Sequence, residues 1–154
     1  MTRRTAVSAV VFAALFGVLD VFLKYIALTR LSSDGRVSFP IDFILHKNEG
    51  IAFNIPLPLP IIIAFSVLVL VTVPPFVAKH WSDRKEQALG ALVLLIGALG
   101  NLIDRIIHGF TTDYILLFGR SVINLSDILI ITGVVMLLWY NEKRSEGQHV
   151  RQSN

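Results

Sequence analysis

Four long apolar runs alternate with polar stretches along this chain. The first covers residues 5–28, and its only charged residues are Asp20 and Lys24. The second, 60–78, is rich in Ile and Val and carries no charge. The third, 87–107, is uncharged as far as Leu99 and then presents Asn101, Asp104 and Arg105. The fourth, 122–140, opens on Asn124 and Asp127 and is otherwise apolar up to Trp139 and Tyr140, an aromatic pair suited to a membrane interface. A helix needs about 20 apolar residues to cross a bilayer, so the pattern predicts four transmembrane helices over these ranges. Pro74-Pro75 should kink or break the last turn of the second. Gly90, Gly97 and Gly100 should let the third approach its neighbours closely.

The longest polar segment is the first outer loop, 29–59. It holds a turn signal at Ser32-Ser33-Asp34-Gly35 and two short strand-like pieces, 37–39 and 42–46, which predict a small sheet at the membrane surface. Pro56, Pro58 and Pro60 exclude regular helix until the second span begins. Residues 79–85 form a short basic hairpin, 108–121 a second outer loop carrying Asp113 and Tyr114, and 141–154 a charged tail expected to be disordered. The whole, 1–154, reads as one membrane domain.

On the third helix Asn101, Asp104, Arg105 and His108 fall at i, i+3, i+4 and i+7 and share one face. Polar groups this dense on a helix apolar enough for a bilayer mark a functional site by default; the bland alternative is a helix end reaching headgroups, with Arg105 snorkelling. Asp20 and Lys24 stand at i and i+4 with the acid first, the favourable order for a pair. That pair fits a bundle-holding role as well as a chemical one.

Composition agrees with the pattern. Of 154 residues, 54% are hydrophobic and 16% charged, and the mean hydropathy is +0.67. That is too apolar for a soluble domain of this size. The net charge of +3 does not point to nucleic acid, because the basic residues sit at the ends of apolar runs without interleaved aromatics. The absence of cysteine excludes disulfides, thiolate ligands and a cysteine nucleophile. A basic start, Arg3-Arg4, followed by an apolar stretch resembles a cleavable leader, but no small-x-small site follows and the apolar pattern continues to residue 28.

Basic residues also set the topology. Arg3, Arg4, Lys79, Arg84, Lys85, Lys143, Arg144 and Arg151 fall on one side of the four spans, and Arg30, Arg36, Lys47 and Arg120 on the other. The richer side is cytoplasmic, so both termini are expected inside. Asp20, Lys24, Asn48, Asn101, Asp104, Arg105, Asp113, Asn124 and Asp127 then gather at the outer face.

Four aspartates at that boundary narrow the chemistry. Two adjacent carboxyls cannot both ionise easily, so one holds a proton while the other acts as a base and activates water against an amide carbonyl. Ser126 has no His partner: His46 and His108 look isolated, and His80 and His149 lie on the other side. No metal-binding spacing occurs, so neither metal nor cofactor is expected. An ion-coupled carrier would also use intramembrane carboxylates, but four spans with polar groups near one face suit it poorly. Spacing alone leaves open which two aspartates act.

The ordered motifs Asp20-x-x-x-Lys24, Asn48-x-Gly50-x-Ala52-Phe53, Gly100-Asn101-x-x-Asp104-Arg105, Asp113-Tyr114 and Asn124-x-x-Asp127 resemble the prolipoprotein signal peptidase family, signal peptidase II, over about residues 15–135. The resemblance implies a bacterial inner-membrane aspartic endopeptidase, multi-pass with its site at the outer face. It would cut signal peptides from prolipoproteins before a diacylglyceryl-modified cysteine. It implies four transmembrane helices with a small extracytoplasmic β-cradle in the first loop. Asp113 and Asp127 match the catalytic pair. Asp20, Lys24, Asn48, Gly50, Asn101, Asp104, Arg105 and Asn124 match structural or substrate-orienting positions. Implied partners are lipid-modified prolipoproteins and membrane lipids, not nucleic acid, with the enzyme a monomer. The first loop would close over the site and exclude water. The rival from another class is a catalytically inactive membrane binding protein of the same fold. The chain departs from the family pattern at Ile123 (usually Phe), Ser126 (usually Ala) and Tyr114 (usually Phe), and only 13 residues separate Asp113 from Asp127, a short interval for the family.

Overall fold

The computed structural model describes residues 3–33, 39–51 and 55–152. It contains four helices, α1 (Arg3–Arg30), α2 (Leu59–His80), α3 (Lys85–His108) and α4 (Leu125–Gln152), and three strands, β1 (Ile41–Asn48), β2 (Thr111–Leu117) and β3 (Ser121–Ile123). Among the described residues three helices are long and apolar enough to cross a membrane, and the apolar part of α4, Leu125–Tyr140, is shorter. The outward surface fits that reading. On α2 only Ile62 is buried, while Ile61, Phe65, Leu68 and Val71 are exposed. On α1 Phe12, Leu15, Val18 and Phe22 are exposed in the same way. Apolar area on this scale is tolerable where lipid, not water, surrounds the helix.

Helix α3 is the hub and packs against α1, α2 and α4. Its contact with α4 depends on missing side chains. A Cβ on Gly133 would fall 2.6 Å from both Gly90 O and Leu94 N, and one on Gly97 would fall 2.5 Å from Ser126 O. Backbones approach closely here because nothing projects between them, as in membrane helix pairs generally. Gly133→Val is therefore expected to lower the melting temperature in detergent markedly, although Gly133 lies far along α4 from the polar cluster at its start. An unchanged Tm would contradict this packing.

Pro74 and Pro75 do not break α2, which runs on through them to His80. A proline costs its own hydrogen bond and crowds the preceding turn. This stretch lies in the last turns of a helix exposed along most of its length, where the freed groups have room.

The segment 108–121, expected to be a loop, is not one. It forms β2 and β3, and the sheet has the order β1-β2-β3, antiparallel throughout. Of the expected strands in the first loop, 42–46 lies within β1; residues 37 and 38, the turn residues Asp34-Gly35, and Ala52-Phe53 lie outside the described residues. The sheet thus draws one strand from the first loop and two from the second. α3 ends at Gly109, which takes φ 81° and donates its N–H to Arg105 O at 2.9 Å. That left-handed cap suits glycine and turns the chain straight into β2. α4 starts at Leu125, later than residue 122, because 121–123 pair with β2. At its other end α4 continues to Gln152, through the stretch expected to be a disordered tail.

Candidate active site

The buried polar groups collect where β2, the end of α3, the start of α4 and the last part of α1 meet. Asp20, Lys24, Asn48, Asn101, Asp104, Arg105, Asp113 and Asn124 are all buried. Buried polar groups must find partners, and the partners here divide the four aspartates into two pairs.

Asp20 and Asp104 belong to Lys24. Its Nζ lies 3.0 Å from Asp20 Oδ2 and 3.4 Å from Asp104 Oδ2, and it donates to Asn101 Oδ1 at 3.0 Å. Asp20 also accepts from Tyr114 Oη, Leu125 N and Ser126 Oγ. Asp104 accepts from Thr112 N and from Thr112 Oγ1, clamping β2 onto the end of α3. His108 is not isolated: its Nδ1 sits 2.9 Å from Asp104 Oδ1, one turn away.

Asp113 and Asp127 have no Lys, Arg or His within 4.0 Å among the described residues. Amides hold them instead. Asp113 accepts from Asn48 Nδ2 at 2.9 Å and from Asn124 Nδ2 at 2.6 Å. Asp127 accepts from Asn101 Nδ2 at 2.8 Å. Asn124 joins the two. Its Oδ1 accepts from Asp127 N at 2.9 Å, while Asp127 Oδ2 accepts from Asn124 N at 3.3 Å. This is a reciprocal cap at the start of α4, with Asn at the cap and Asp three residues on. The cap holds the Asn124 amide oxygen, and its nitrogen donates to Asp113. One short motif thereby starts the helix and sets both carboxyls.

Burial, reinforced by the neighbouring Asp127 charge, pushes Asp113 up to about 7, against the opposing hydrogen bonds from Asn48 and Asn124. A carboxyl with that value can hold or give up a proton near neutral pH, as an acid–base catalyst requires. Arg105 Nη2 donates to Gly50 O at 2.9 Å, and Asn48 Oδ1 accepts from Gly50 N at 3.0 Å. These bonds tie the first loop down beside the aspartates. Asp127, Asn101, Arg105 and Asn48 form the polar end of a cavity of about 580 Å³ that continues between α2, α3 and α4 along Phe65, Ile130 and Val134. Among the described residues no three His, Asp or Glu side chains gather into a set that could hold a metal ion.

A profile described as signal peptidase II matches residues 12–141. The chain belongs to the signal peptidase II family. It is 31% identical over 148 residues to a lipoprotein signal peptidase of Brucella ovis, covering 88% of this chain and 91% of that protein. To one of Clostridium novyi it is 30% identical over 137 residues, covering 82% and 93%. Two solved structures described as bacterial membrane enzymes share its fold. One has a TM-score of 0.80 at 22% identity, over 96% of this chain and 93% of the other. The second has a TM-score of 0.72 at 23% identity, over 90% and 92%.

All ten site positions that the signal peptidase II resemblance singles out therefore lie in one connected network. Thr112 is a member that the sequence did not single out; His108, on the polar face of α3, and Tyr114, in the Asp113-Tyr114 motif, gain their partners only in the structure. The spacing Asp104-x-x-x-His108 was available as a signal; Tyr114 bonds to a partner 94 residues away, and Thr112 to Asp104 across the α3–β2 turn.

Proposed function

We propose that this chain is an aspartic endopeptidase that removes the signal peptide from prolipoproteins ahead of a lipid-modified cysteine. The observation that carries this reading is the division of the aspartates. Asp20 and Asp104 are both in ion-pair contact with Lys24, whereas Asp113 and Asp127 are linked through Asn124 and, among the described residues, have no Lys, Arg or His within 4.0 Å. Two such carboxyls, Asp113 buried and Asp127 partly so, retain one proton between them. The ionised member takes a proton from water, whose oxygen attacks the scissile carbonyl carbon. The protonated member then gives its proton to the amide nitrogen as the C–N bond breaks. No covalent enzyme intermediate forms, and the proton taken from water restores the pair.

The apolar cavity between α2, α3 and α4 suits an apolar substrate segment, with the polar end presenting the bond to be cut. We read α4 as a fourth span, short because its cap begins in the sheet. We read the sheet as an extracytoplasmic cradle, the site as lying at the outer face of a bacterial inner membrane, and both termini as cytoplasmic. The excess of basic residues at 79–85 and near the termini supports that orientation. One chain supplies every group of the network, in keeping with action as a monomer, and no step requires a cofactor.

The test is cleavage of a lipidated prolipoprotein by the purified protein in detergent. The expected result is release of the signal peptide, with unlipidated precursor left intact. Tight binding of the lipidated precursor without cleavage would instead mark a binding protein of the same fold.

A further inference from the structure

Two hydroxyls converge on the Asp20 carboxylate. Tyr114 Oη donates to Oδ1 at 2.9 Å, and Ser126 Oγ donates to Oδ2 at 2.6 Å. Leu125 N also donates to Oδ1 at 3.1 Å and to the Tyr114 oxygen at 3.2 Å. Asp20 and Ser126 are fully buried, Tyr114 is 2% exposed, and space for the Ser126 hydroxyl exists because Gly100 has no side chain opposite it. The position of these donors in the chain is informative. Tyr114 follows Asp113 in β2, and adjacent residues of a strand face opposite sides. Ser126 precedes Asp127 in the first turn of α4. One carboxylate on α1 thus holds the residue next to each of the two carboxyls that Asn124 links.

We propose that Tyr114 and Ser126 are positioning residues for the hydrolysis, fixing the separation of Asp113 and Asp127 by locking β2 and the start of α4 to the Asp20 carboxylate. This rests on the peptidase reading above. Asn124 sets the pair from the front, through its amide; Asp20 sets it from behind, through the two hydroxyls. Without the rear lock, Asn124 and the β2–β3 pairing that leads into α4 still join strand to helix, but nothing holds the two backbones at the level of Tyr114 and Ser126. A small misplacement lowers turnover far more than it lowers binding. Burial and the Asp20 charge both raise the Tyr114 phenol, which keeps it a donor throughout the working pH range.

The variants Tyr114→Phe and Ser126→Ala each remove a single oxygen and leave Asp113, Asp127 and Asn124 untouched. Cleavage of a lipidated prolipoprotein is followed for each and for the double variant, well below the melting temperature. A fall of about tenfold in kcat with KM nearly unchanged is expected for each single variant. The double variant should lose less than the product of the two, because both act through one carboxylate. The alkaline limb of the pH profile should move to lower pH, since a looser pair feels less mutual repulsion. If Tyr114→Phe does not fold, Ser126→Ala decides the matter alone. A wild-type protein that does not cleave would sink the peptidase reading itself. Active wild type together with unchanged kcat and an unmoved pH limb in the folded variants would overturn the positioning role, even if their Tm falls.

Discussion

Asp113→Asn and Asp127→Asn are each expected to reduce cleavage by at least about 10³-fold, the upper range for loss of acid–base catalysis. The reason lies in the proton that the two carboxyls share in the proposed mechanism. An amide can neither accept a proton from water nor supply one to the leaving nitrogen, so substitution of either member halts the exchange of roles. Both variants should still fold. Asp113→Asn loses one accepting oxygen from the pair facing Asn48 and Asn124, but it also removes a buried charge beside Asp127. These effects oppose one another, so Tm should change little. Lipidated precursor should still bind, because most of the cavity wall is apolar and is supplied by other residues. Substantial turnover by either variant would remove that aspartate from the mechanism.

Asp20→Ala should act mainly on stability. It deprives Tyr114 Oη and Ser126 Oγ of their acceptor, takes one acceptor from Leu125 N, and leaves Lys24 buried with Asp104 as its one carboxylate within 4.0 Å among the described residues. Breaking a buried ion pair by removing one partner costs about 3–5 kcal/mol. For a chain of this size that corresponds to a fall of about 10 °C in Tm. Activity should decline with the melting temperature. Complete loss of activity with an unchanged Tm would give Asp20 a direct chemical role instead.

The membrane helices were legible because their signal is local: long apolar runs broken by charged ends. The polar face of α3 was legible for the same reason, since three- and four-residue spacing puts Asn101, Asp104 and Arg105 together. Strand β2 was not. Its first four residues, Thr111 to Tyr114, are all buried, so the alternation that reveals a half-exposed strand is missing. Its β-branched residues were the remaining clue. Asn124 and Asp127 were placed inside a span when their spacing is that of a helix cap; a span that ends in an apolar run masks a cap at its start. The division of the four aspartates was beyond spacing altogether. It depends on Lys24 reaching Asp104 on another helix and on Tyr114 and Ser126 reaching Asp20 from 94 and 106 residues away.

The most direct measurement is the pH dependence of kcat/KM for cleavage of a lipidated prolipoprotein, with EDTA present throughout. Asp113, pushed up to about 7 by burial and by Asp127, is ionised as the pH rises through that value. The shared proton is then lost, and no group remains to protonate the amide nitrogen. Activity should therefore fall on the alkaline side with an apparent pKa near 7, a value belonging to the pair rather than to one residue. It should be indifferent to the chelator. Activity that stays flat from neutral pH to well above it, or that disappears in EDTA and returns with a divalent ion, would contradict a proton-sharing pair of aspartates.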